Sequence, residues 1–115
     1  NAFSAADYTH PTREYITARW TDAAASGTLV AGAPPRCDAV SLLPKSGLVD
    51  MPVGSAWEGV AILAEAARTW TPQRATELHV HARAHLDWRH RFKVVARTLG
   101  LEMDKLQTEL RLLDV

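Results

Sequence analysis

Apolar residues recur at helical spacing in four stretches of the chain and lose that rhythm in one. Ile16, Trp20 and Ala23 or Ala24 stand three or four apart, with Thr12, Arg13 and Arg19 left for solvent, a spacing that predicts a helix over about 10–25. Thr9 supplies a cap, Pro11 stands where a first-turn residue needs no amide partner, and Ser26-Gly27 ends the run. Val60, Leu63, Ala64 and Ala67 make a second stripe, over 55–70, whose small members let another helix approach closely. Its start is the clearest punctuation in the chain. In Ser55-Ala56-Trp57-Glu58 the serine hydroxyl accepts from an amide one turn on, and the glutamate reaches back. Thr71-Pro72 is a new cap followed by proline at the first helical position.

From Pro72 to Leu99 neither glycine nor proline interrupts, which predicts one long helix over 72–99 with Gly100 as its left-handed terminator. Leu78, Ala82, Phe92, Ala96 and Leu99 follow one seam, interrupted at His85 and Arg89, while Val80, Ala84, Trp88 and Val95 form another. Two apolar seams on one helix predict packing on two sides. A last helix is expected over 103–113, with Leu106, Leu110 and Leu113 on one side.

The rhythm fails from Gly27 to Gly54, where Pro34, Pro35, Pro44 and Pro52 separate short apolar pieces. A long helix is excluded there. An ordered wrap is expected instead, laying Leu29, Val40, Leu42, Leu43, Leu48 and Met51 onto the helices, with room for one small β-hairpin. The predicted fold class is therefore all-α or nearly so: about four helices, with an irregular Pro/Gly-rich wrap between the first and second.

Composition narrows the setting. A chain of 115 residues is the size of one domain and can bury one core. Asn1-Ala2, without a methionine, reads as the stub of a cleaved expression tag, so residues 3–115 are expected to be a single helical domain taken from a larger protein. Thirteen basic residues balance thirteen acidic ones, so no whole-molecule field draws the chain to nucleic acid or membrane. A single cysteine, Cys37, forms no internal disulfide and no paired-cysteine metal site. No apolar run is long enough to span a bilayer. A cytoplasmic setting, no membrane and no cofactor are the expectations.

The residues that could carry chemistry lie mostly between 77 and 111. Glu77, His81 and His85 stand at i, i+4 and i+8 on a helix, and a histidine pair four apart can share a metal ion. The glutamate that would make a helical metalloprotease motif is missing, so a solvated or interfacial histidine face is the plainer expectation. Arg89, Lys93 and Arg97 align at four-residue spacing and, with Lys105 and Arg111 beyond the turn, could neutralise phosphates. Ala96, Gly100 and Leu106 fall where a helix-turn-helix packs its two helices, although Glu102, Asp104 and Glu109 oppose phosphate approach. Cys37 has no histidine nearby to act as base, and the serines and glycines lack hydrolase-elbow and phosphate-loop patterns.

Four tryptophans, Trp20, Trp57, Trp70 and Trp88, are many for this length. Each is expected to anchor the core or a helix crossing, whereas a surface cluster of them would mark a partner site. The leading functional expectation is a non-catalytic accessory or protein-interaction domain of a larger intracellular protein, with homodimerisation open to it. The alternatives are a nucleic-acid-binding module and, more weakly, a metal-dependent activity at the histidine pair.

Overall fold

The computed structural model describes residues 13–51 and 54–113. The chain runs through α1 (Ala18–Ala25), β1 (Val30–Ala31), two short 3-10 turns (Asp38–Leu42 and Lys45–Gly47), β2 (Leu48–Val49), α2 (Ala56–Thr69), α3 (Pro72–His85), α4 (Trp88–Leu99) and α5 (Asp104–Arg111). The all-α class holds, with a tiny sheet in the wrap. Its two strands pair in parallel, Val30 opposite Leu48 and Ala31 opposite Val49. A tight hairpin turn cannot join parallel strands, and the 3-10 turns between β1 and β2 carry the chain back to the start of the ladder.

Several helix boundaries follow the local chemistry. The Ser55 hydroxyl accepts from Glu58 N at 3.3 Å, and the Thr71 hydroxyl from Arg74 N at 3.2 Å. Gly100 closes α4 in the left-handed region at φ 65°, a conformation that costs a residue with a Cβ about 1–2 kcal/mol. Two expectations need correction. The first helix begins at Ala18, after extended Thr17, later than the spacing of apolar residues implies; the Thr9 and Pro11 signals lie outside the described residues. The helix expected over 72–99 is two helices. Asp87 is extended (φ −58°, ψ 136°), and its carboxylate accepts from Arg89 N at 2.9 Å, so it starts a new helix without help from glycine or proline.

Among the described residues, the buried apolar side chains form two separate clusters. In the body, Trp20 (1% exposed), Val30 and Leu43 pack with Ile16, Ala23, Leu48 and Leu86. Leu78 and Ala82 of α3 are also buried, and α1 lies along α3. The α1–α3 approach is close at Gly27. A Cβ there would stand 2.7 Å from the Ala75 carbonyl oxygen, and the residue's φ of +69° independently favours glycine. The second cluster, Ala96, Leu106, Leu110 and Leu113, belongs entirely to the hairpin of α4 and α5.

These two small cores leave an open molecule. The radius of gyration is 16.6 Å and the extents are 53 × 39 × 16 Å, against about 13 Å for a compact chain of roughly 100 residues. Among the described residues, no helix is long and apolar enough to cross a membrane.

Candidate interaction surface

Helix α4 has a stripe of its own. Trp88, Phe92, Val95 and Leu99 follow one another at spacings of four, three and four, the rhythm of a helix-packing seam. Ala96, next around the helix, is buried against α5, but the seam is not. Trp88 is 74% exposed, Leu99 is 64% exposed, and Phe92 and Val95 are more than half exposed. The Trp88 and Phe92 rings lie 6.4 Å apart and tilted, a single aromatic surface. Leu101 and Met103, in the turn after Gly100, are exposed as well.

A second apolar face lies on α2, where Trp57 is 86% exposed with Val60 and Leu63. Between that helix and the strands runs a cleft of about 320 Å³ lined by Leu29, Ala31, Val49, Leu63 and Trp70. The Trp70 indole donates to the Gly27 carbonyl at 3.3 Å. Two of the four tryptophans, Trp57 and Trp88, depart from the expectation. Trp20 anchors the core, Trp70 bridges two segments with its ring half-exposed, and Trp57 and Trp88 stand in the open. The reason is that α3 stops at Leu86: Trp88 opens a new helix that packs chiefly on α5, and its indole lines an open groove beside Thr21 and Asp22 of α1.

A polar latch braces the hairpin at the start of α4. Asp87 takes two bonds from the Arg89 guanidinium, at 2.8 and 2.9 Å, and one from its amide, while Arg89 Nη1 reaches Glu109 on α5 at 3.2 Å. The side-chain bonds from Arg89 lead the causes that hold the Asp87 carboxyl down, at about 2, and the same pairing raises Arg89. Around this knot, His90 donates to the Arg83 carbonyl at 3.0 Å, Arg91 to the His85 carbonyl at 2.8 Å, and Arg83 to the Leu112 carbonyl at 2.9 Å. All three tie α3 to the hairpin through backbone oxygens.

The residues considered for nucleic acid fall on α4 and α5. Arg89 is occupied by two carboxylates and sits half-buried. Lys93 and Arg97 are exposed on α4, and Lys105 and Arg111 are exposed on α5, where Asp104 and Glu102 are exposed beside them. The turn itself has the anticipated form: Ala96 and Leu106 are buried together across Gly100.

For the metal reading, the His81 and His85 rings lie 4.5 Å apart, but His81 Nε2 donates to the Leu42 carbonyl at 2.8 Å and Glu77 accepts from Gln73 at 3.1 Å. His79 is similarly committed, donating through Nδ1 to the Ala25 carbonyl at 2.7 Å. These bonds fasten α3 to α1 and to the wrap. Among the described residues, no three His, Cys, Asp or Glu side chains gather where they could hold one ion. No family model, no curated protein and no solved structure matches the chain.

Proposed function

We propose that this chain is an interaction domain, an accessory part of a larger protein or assembly, and that the open faces of α2 and α4 are its contact surface. The observation that carries the reading is the exposure of Trp57 and Trp88 among aligned apolar neighbours. Large aromatic side chains on aligned apolar faces are the usual anchors of protein interfaces, and monomeric proteins seldom leave such surface to water. The open shape and the two small, separate cores support the same reading.

Replacing Trp57 or Trp88 with a benzophenone amino acid and irradiating cells that make the protein tests it. A discrete covalent adduct is expected from each position, either to another protein or to another part of a longer chain, and each should disappear when the neighbouring Val60 or Phe92 is changed to aspartate. Adducts no stronger than those from an exposed polar position such as Gln107 would remove the proposal.

The α4–Gly100–α5 turn favours a second reading, DNA recognition. Its electrostatics are thin. Of the three cations aligned on α4, Arg89 is committed, which leaves Lys93 and Arg97 for phosphates, and two neutralised charges give a slope of about −1.8 in log affinity against log salt on duplex DNA. Fluorescence anisotropy at two salt concentrations is expected to place random duplex in the non-specific range of about 10⁻⁴ to 10⁻⁶ M. Sub-micromolar binding that collapses in Lys93→Ala with Arg97→Ala would establish this second reading over the first.

A further inference from the structure

Resting on the interaction reading, we infer that the α2 face is closed by a second copy of this chain, the two α2 helices lying antiparallel about a twofold axis between Ala61 and Ala64. Helix α2 is apolar almost all round, with Glu58, Glu65 and Arg68 as its charged residues. Its inner side, Gly59, Ile62 and Ala66, is buried or half-buried, and there the helix packs on β2 and beside Met51. At about 3.6 residues per turn, Trp57, Ala61, Ala64 and Arg68 fall on the opposite side, and all four are exposed. A surface helix ordinarily turns a polar face to water, whereas one that is apolar on both sides is a helix covered on both.

A gradient of size along this outer seam selects the occupant. The large side chains, Trp57 and Val60, stand in the first half of the seam, and Ala61, Ala64 and Ala67 follow. Two copies laid antiparallel match large to small at both ends. Each Trp57 comes down on the other copy's Ala64 and Ala67, and Ala61 meets Ala64 at the axis, where small residues let two backbones close. A parallel pair would set Trp57 against Trp57 and leave a gap along the alanines.

Charge fits the same arrangement. Arg68 is held by Glu65 through two hydrogen bonds, at 2.7 and 2.8 Å, on the rim of the seam. Antiparallel pairing carries that guanidinium to the other copy's Trp57, whose exposed ring can take its flat face while its edge stays on Glu65. Glu58, the remaining charge on each helix, comes near the other copy's Arg68 and not opposite a second Glu58. At the scale of such side chains the face offers on the order of 500 Å² per copy. The total of about 1,000 Å² suits a weak, concentration-dependent dimer.

Sedimentation equilibrium of the whole chain at micromolar concentrations is expected to show monomer and dimer in exchange. Trp57→Asp should abolish the dimer while leaving circular dichroism and the thermal midpoint unchanged, since the ring is 86% exposed. Arg68→Ala should weaken it by about threefold, the scale of one cation–π contact. Register is read with thiols: in a Cys37→Ser background, an Ala61→Cys chain mixed with an Ala64→Cys chain should form a disulfide-linked dimer faster than either chain alone. A chain that stays monomeric up to millimolar concentration, a dimer that survives Trp57→Asp, or thiols that link no faster when mixed overturns the inference. A Trp57 photoadduct to a different protein, with the chain itself monomeric, sinks this inference alone; no adduct from either tryptophan and no dimer sinks the interaction reading with it.

Discussion

The body and the α4–α5 hairpin solve the same problem in different ways. The body closes its core with residues far apart in sequence: Trp20 from α1, Val30 and Leu43 from the wrap, and Leu78 from α3. Backbone fit then matters as much as apolar area, as the contact of Gly27 with Ala75 shows. The hairpin draws its whole core from 96–113 and buries only an alanine and three leucines. So little apolar area is marginal for two short helices, and the hairpin leans on the Asp87–Arg89–Glu109 knot for the remainder. Where burial is generous, polar groups are incidental to stability; where burial is thin, a few charged hydrogen bonds decide whether the element stands.

Substitutions that load one side of this contrast should separate the two regions. The largest effect is expected from Trp20→Ala, which empties the centre of the body and should cost about 3–5 kcal/mol, read as a lower denaturant midpoint. Amide exchange in α4 and α5 should change far less than in α1 and α3; equal loss in both would show that the two cores unfold as one.

Leu110→Ala comes next. Removing one of three leucines from the hairpin should cost about 2–3 kcal/mol locally, so exchange should accelerate across α4 and α5 while α1 and α3 remain protected.

Asp87→Ala should cost about 1 kcal/mol, the ordinary worth of an N-cap. The acid dependence is sharper evidence for the latch. Asp87 is held at about 2, below its ordinary value near 3.8. It therefore stabilises the fold fully above that ordinary value, and the contribution is lost as pH falls from about 4 toward 2. Exchange in the hairpin, monitored across that window, should rise in the parent and lose most of its pH dependence in Asp87→Asn.

Much of this design is legible in the residues. The caps at Ser55 and Thr71, the stop at Gly100 and the leucine face of α5 rest on interactions within a turn or two, so local chemistry suffices to find them. The parallel strand pair was beyond reach because the register of Val30 with Leu48 depends on how the intervening wrap folds. The break at Leu86 is an intermediate case. An aspartate followed by Trp88 and Arg89 is a cap signal, but without glycine or proline the high helix propensity of the segment masks it. The break decides the main feature of the candidate surface, since an uninterrupted helix carries Trp88 along α3 rather than opening a new direction. The basic residues were likewise visible as a cluster, whereas the capture of Arg89 by Glu109 from the next helix was not.

The parallel ladder also sets an order of events in folding. Strands β1 and β2 cannot zip from a turn, so the chain between them must be gathered first, by Leu43 on the body core and Gly47 beneath Leu78. Contacts of such wide sequence separation form late because loop-closure entropy is lost before they return any energy. The hairpin, built from neighbours, has no such delay, so during refolding its local contacts are expected to form before the ladder closes.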